Sequence, residues 1–218
     1  MTSATAPRLL LVTASPRGDR SYSATLADAL IGAYAAEQPE AIVDRLDAFA
    51  LAPFAARATA AKDAVIAGDA VPDDSAAEWE GVQAVARRVA DADVLVFAAP
   101  IWNHSIPWAL KLFIDTVTQP GLAFGFDPAE GYHGLLGGRR AAALLTSAVY
   151  APGVGPEFGT DEAWPYLRGW LEFVGIEPAG AVRLQPTYPT PDLDERLARA
   201  LEEARALGAS LAAQPALR

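Results

Sequence analysis

Short apolar runs alternate along this chain with longer segments of helical periodicity, and that alternation leaves few folds open. A strand that follows a helix returns most readily to pair in parallel, because a parallel crossover needs a dozen or more residues, and the helices then cover both faces of the sheet. The first run, Arg8 to Thr13, is apolar almost throughout, as a strand buried on both faces should be. The second, Ala41 to Leu46, is more polar and suits a sheet edge. Asp93 to Ala98 is the clearest strand, and Arg140 to Thr146 and Ala181 to Leu184 complete the set.

Helical spacing fills the intervals. Apolar residues recur at Leu26, Leu30 and Tyr34 after a start near Ser21, and Trp79, Val82, Val85, Ala86 and Val89 form a second stripe. Pro107 is placed as the first helical residue of a segment reaching Asp115. A fourth helix falls within Thr160 to Val174 and stops against Gly175, and a last one runs from its N-cap Asp192 to Ala213. Two long insertions interrupt the pattern. Asp47 to Asp74 is Ala-rich and punctuated by proline, and is expected to hold a short helix around Ala60 to Ala67 and to offer apolar residues to a partner. Thr118 to Gly138 precedes the fourth strand. Residues 1 to 218 read as a single domain.

Composition excludes several chemistries. The absence of cysteine removes disulfides, thiolate metal sites and cysteine nucleophiles. A net charge of −10 argues against a nucleic-acid partner, since phosphate backbones are held by clustered Lys and Arg. With two histidines and scattered carboxylates, no spacing reads as a metal site. The opening MTSATAP has no basic segment followed by an apolar one, and no stretch approaches the ~18 apolar residues of a membrane span, so a cytoplasmic location with no membrane partner is expected. Arg17-Gly18-Asp19 resembles an adhesion signal by coincidence.

In an open α/β sheet the ligand lies beyond the carboxyl ends of the strands, at the point where strand order reverses. For the order 2-1-3-4-5 that point lies between strands one and three, where the loops Thr13 to Ser23 and Ala99 to Pro107 meet. The first lacks G-x-G-x-x-G and G-x-x-x-x-G-K-[ST], so neither a dinucleotide site nor a triphosphate loop is indicated. It offers Ser15, Ser21, Tyr22 and Ser23 at a helix start, with Arg17 and Arg20 nearby, a set suited to a phosphate monoester. Ser21 alone would serve equally as a plain N-cap. The second loop, Pro100, Ile101, Trp102, Asn103 and His104, mixes apolar and polar groups as a flat heteroaromatic ring requires. Taken singly, Trp102 also fits core packing and His104 a surface imidazole.

Together these residues resemble the FMN-dependent NAD(P)H azoreductase and quinone reductase family. The resemblance rests on Ser15 with Ser21-Tyr22-Ser23, on Pro100 to Pro107 followed by Leu110-Lys111, and on Gly121-Leu122-Ala123-Phe124 and Gly134-Leu135-Leu136. The segment of the form P-[MI]-[YW]-N-x-x-I-P is its specific part, and the whole extends from Leu9 to about Leu184. It implies a flavodoxin-like, doubly wound five-stranded parallel sheet with helices on both faces. It further implies a homodimer holding one non-covalent FMN per subunit at shared active sites, with NADH or NADPH as donor and a quinone or azo compound as acceptor in ping-pong order. On that resemblance Ser15, Ser21, Tyr22 and Ser23 hold the FMN phosphate, to which the loop's own Arg17 adds a positive charge, and Pro100, Ile101, Trp102, Asn103 and His104 line the isoalloxazine ring. Thr146, Ser147 and Ala148 form a third FMN loop, although relatives carry Gly-Gly where Ala148-Val149 stand and Tyr150 fills space there. Phe124, Phe126 and Tyr132 form an apolar lid, and the expected substrate contacts are Phe124 and Phe126 of that lid with Tyr150 of the loop after the fourth strand. No side chain is marked as an obligatory acid or base, His104 being the candidate proton donor. A one-electron carrier of flavodoxin type is the rival expectation, favoured by the acidic charge and opposed by the two insertions.

Overall fold

A computed structural model describes residues 6–213; of the opening heptapeptide only Ala6 and Pro7 fall among them. The elements are β1 (Arg8–Thr13), α1 (Tyr22–Glu37), β2 (Ile42–Asp47), α2 (Ala56–Ala67), α3 (Ala76–Asp91), β3 (Val94–Pro100), α4 (Trp108–Val117), β4 (Phe124–Asp127), β5 (Gly131–Gly134), β6 (Arg140–Thr146), α5 (Ala163–Val174), β7 (Glu177–Leu184) and α6 (Leu193–Ala213).

Period-two alternation along the central strands divides the core. Leu10, Val12, Leu95, Phe97, Ala143 and Leu145 face α3, α4 and α5, whereas Leu9, Leu11, Val94, Val96, Ala142 and Leu144 face α1 and α6. Each fully buried leucine contributes roughly 1.5–3 kcal/mol, so apolar content on both faces makes burial on both sides the favoured solution. Phe97 sits edge-on between Phe113 of α4 and Trp170 of α5, each ring centroid 6.0 Å away. On the other face Gly208 of α6 lies directly against the backbone of Leu30 in α1.

The parallel sheet has the order β2-β1-β3-β6-β7, which is the expected 2-1-3-4-5 once the two strands of the hairpin β4–β5 are counted. That antiparallel hairpin inside the 118–138 insertion was not anticipated. Its strands are four residues each, too short to establish a period, and Asp127 Oδ1 closes the turn by accepting the N–H groups of Ala129 (2.7 Å) and Glu130 (3.1 Å). β2 is an edge strand, as its polarity suggests.

Other boundaries differ from the sequence reading for identifiable reasons. α2 begins at Ala56 rather than near Ala60, and Ala58 and Ala61 pack on Trp79 and Val82 of α3, so much of the excursion's apolar surface is used within the chain. Pro107 is the N-cap of α4, with ψ 150, and not its first helical residue. β7 starts at Glu177, ahead of the expected Ala181, because Pro178 and Gly180 break the apolar pattern and shift the register against Ala141/Ala142.

Candidate functional site

Register brings the carboxyl ends of the central strands level: Thr13 of β1 pairs with Ala98 of β3, and Pro100 of β3 with Thr146 of β6. The loops that leave them meet in one cleft enclosing about 90 Å³. Ser15, Pro16, Arg17, Ser21 and Tyr22 form one wall, Pro100, Ile101 and Trp102 a second, and Thr146, Ser147 and Ala148 a third, with Thr187 completing it after β7.

The first wall is a helix start. Ser21 has extended backbone (ψ 112) and its Oγ accepts the N–H of Ala24 at 3.3 Å, as an N-cap does. The N–H groups of Tyr22 and Ser23 stand in the same first turn, where an α-helix offers no intrahelical acceptor. Ser23 does not line the cleft. Its hydroxyl, 1% exposed as a residue, lies 3.1 Å from Ser21 Oγ and orients it from behind. Arg17 is exposed at the rim, and among the described residues it forms no salt bridge.

The second wall ends in a two-residue turn. Trp102 and Ser105 exchange main-chain hydrogen bonds of 2.8 and 3.0 Å, and the residues between them have positive φ, 48° at Asn103 and 71° at His104. This is the left-handed path that asparagine tolerates best among residues with a Cβ. Both side chains are exposed and neither lines the cleft. His104 Nδ1 accepts the N–H of Thr160 at 3.0 Å, and its carbonyl accepts that of Glu162 at 2.7 Å.

The third wall is bonded to its neighbours through the main chain. Ile101 N–H donates to Thr146 O (2.7 Å), Thr187 N–H to Ser147 O (2.7 Å) and Tyr188 N–H to Ala148 O (2.8 Å). Positive φ among the described non-glycine residues occurs at Asn103 and His104, so Ala148-Val149 follow an ordinary path that needs no glycine. Tyr150 is half-buried beside the cleft without lining it. Sequence reasoning missed Pro16 and Thr187. The signal for Thr187 is the proline-flanked Gln185 to Thr190 segment, which leaves the fifth sheet strand at the same end as the other loops.

Phe124 and Tyr132 lie elsewhere. With Trp108, Lys111 and Phe173 they line a separate recess of about 560 Å³, and Phe126 packs on Tyr132 at 5.0 Å with 60% of its surface exposed. In that recess burial acts to lower the Lys111 pKa, but its 2.5 Å hydrogen bond to Asp115 and the nearby Tyr166 raise it above the ordinary lysine value overall. A larger trough, about 760 Å³, lies at the opposite ends of the strands around Arg8, Asp93 and Arg139. Size does not make it the site: Arg139 there is engaged with the carbonyls of Val89, Ala90 and Gly137, and ligands of open α/β sheets sit at the carboxyl ends.

Comparison with known proteins settles the family. Residues 7–207 match the family described as having a flavodoxin-like fold. An FMN-dependent NADH:quinone oxidoreductase of Ruegeria pomeroyi is 40% identical over 196 residues, covering 89% of this chain and 96% of that protein. The chain belongs to this flavodoxin-like family of NADH:quinone oxidoreductases. A second oxidoreductase of the same description, from Nitratidesulfovibrio vulgaris, is 38% identical over 90% of this chain and 96% of its own. The azoreductase of Bacillus anthracis shares the fold, with a TM-score of 0.81 at 24% identity over 94% of this chain and 99% of that one. The span matched to the family contains every loop of the cleft and the β4–β5 hairpin.

Proposed function

We propose that this chain is an FMN-dependent oxidoreductase that passes electrons from NADH to quinones and azo compounds, with the FMN phosphate seated in the loop from Ser15 to Ser23. The observation that carries this reading is the meeting of a serine-capped helix start and Arg17 with the apolar wall Pro100 to Trp102 in a single cleft. The donor set fits FMN. A hydroxyl, first-turn N–H groups, the positive helix end and a guanidinium suit a phosphate monoester. The phosphate would seat among these donors, with the rest of the cofactor extending along the Pro100 to Trp102 wall. When bound, FMN supplies a two-electron relay between the nicotinamide and the acceptor.

The chain's own residues then have separable tasks. Ser15, Ser21, Tyr22 and Arg17 bind the phosphate, and Ser23 orients Ser21. Pro100, Ile101 and Trp102, facing Thr146, Ser147 and Ala148, flank the ring, while Thr187 closes the remaining side. Asn103 and His104 contribute through the main chain of their turn. Phe124, Phe126 and Tyr132, separated from this cleft within one chain, would reach a flavin only across a subunit boundary, and the exposed rings of Phe126 and Tyr132 support a homodimer with the acceptor between subunits. One site serving donor and acceptor in turn gives ping-pong order.

Among the described residues no helix is long and apolar enough to cross a membrane, and no cluster of His, Cys, Asp or Glu would hold a metal ion. The deciding experiment is an anaerobic visible spectrum of the purified protein reconstituted with FMN. Yellow colour bleached by NADH alone and restored by a quinone is expected. A protein reduced only through a separate reductase would be an electron carrier, and one that ignores FMN would overturn the reading.

A further inference from the structure

The turn at Asn103-His104 is held from outside by a segment 56 residues further along the chain. Thr160 donates its N–H to His104 Nδ1 at 3.0 Å, and Thr160 Oγ1 lies 3.2 Å from the same nitrogen. Glu162 donates its N–H to the His104 carbonyl at 2.7 Å. Between these two donors stands Asp161, whose side chain is 7% exposed. One carboxylate oxygen accepts the N–H groups of Ala163 (3.0 Å) and Trp164 (3.3 Å), capping α5, while the other accepts Arg183 Nε of β7 at 3.0 Å. A main-chain N–H can only donate, so the imidazole nitrogen facing Thr160 carries the lone pair and the neutral ring keeps its proton on Nε2.

A buried carboxylate with three donors is fixed in place, and whatever flanks it in sequence is fixed with it. The left-handed backbone at His104 persists only where surrounding structure over-determines it. Both conditions meet at one point, directly beside the cleft wall Pro100 to Trp102.

The geometry points to Asp161, anchored by Arg183, as a positioning residue for the flavin wall. It holds Thr160 and Glu162 as a clamp on the Asn103-His104 turn and locks His104 as the Nε2–H tautomer. Asp161 acts through the turn and touches neither cofactor nor acceptor. The inference rests on the proposed FMN function for its catalytic consequence, but the clamp itself is measurable without it.

The test uses the full chain labelled with ¹⁵N-histidine, in which only His104 and His133 give signals and His133→Gln assigns them. At about pH 8, above the ordinary histidine range, long-range ¹H–¹⁵N correlation should show His104 of the wild type as the Nε2–H form, with and without FMN. Arg183→Gln should give a mixture of tautomers, a shifted flavin absorption band and turnover lower by roughly tenfold with little change in the NADH KM. Arg183→Lys should restore all three partially. If Arg183→Gln does not fold, Asp161→Asn, which can still cap α5, carries the same expectations.

A variant that loses thermal stability but keeps the tautomer, the flavin band and turnover would reduce Asp161 to a structural cap and overturn the inference. So would an Nδ1–H ring in the wild type. A chain that binds no FMN removes the functional reading and with it the catalytic role of the clamp, while the His104 tautomer in the same FMN-free protein still decides whether the clamp exists.

Discussion

Ser21 and Ser23 differ by two positions and by function. Ser21 faces the cleft and caps α1, whereas the Ser23 hydroxyl is buried behind it, 3.1 Å from Ser21 Oγ. Ser21→Ala therefore removes a cap, the hydroxyl proposed to meet the phosphate and the partner of a buried hydroxyl, and should lower both FMN affinity and unfolding free energy, the latter by about 1 kcal/mol. Ser23→Ala leaves the first-turn donors in place and should weaken FMN less than Ser21→Ala does. Equilibrium dialysis of FMN against both variants checks the order, and equal losses would place Ser23 in the cleft. The serines were legible in sequence because they stand at a helix start following a buried strand. Thr187 and the Thr160 contact to His104 were not, since each depends on chain segments far apart in sequence that only the folded sheet brings level.

Elements were legible wherever their residues repeat with one period over a sufficient length. β1, β3 and β6 are apolar runs, and α3 carries its buried residues at Trp79, Val82, Ala86 and Val89. The β4–β5 hairpin and the front of β7 escaped because four-residue strands, or a Pro and a Gly within a strand, leave no period to read. Helix α6 sits so near α1 that a Cβ on Gly208 would meet Leu30 O at 2.1 Å, while Gly32 in α1 has nothing within 4 Å. The same substitution should thus act with opposite signs. Gly32→Ala gains helix propensity and should stabilise by about 0.5–1 kcal/mol, whereas Gly208→Ala must push the packed helices α1 and α6 apart and should cost about 1–3 kcal/mol. Urea unfolding midpoints distinguish them, and a stabilising Gly208→Ala would show that the helix crossing is looser than described.

For the whole molecule, acid sensitivity has a local handle at the edge of the sheet. Arg88 of α3 donates two 2.8 Å hydrogen bonds to Asp44 of β2, and these, against a burial effect of opposite sign, hold the Asp44 carboxyl below the usual carboxylate range. A folded pKa below the unfolded one contributes stability that is present above the unfolded value, about 3.9, and is lost as pH falls through the folded value. Asp44→Asn should accordingly be less stable than the wild type at neutral pH, with the gap closing in acid. Unfolding curves at the two extremes check it, and a gap independent of pH would exclude the ion pair as its cause.

The walls of the cleft are drawn from residues 15 to 22, 100 to 102, 146 to 148 and 187, so they span most of the chain. A ribosome building this protein delivers Ser15 and Ser21 first and the closing Thr187 near the end. Until the segment after β7 has been made, the Ser147 and Ala148 carbonyls lack the Thr187 and Tyr188 donors that hold them. The cleft is therefore complete only after nearly the whole chain has been made, because its last wall comes from residues beyond the final strand of the sheet.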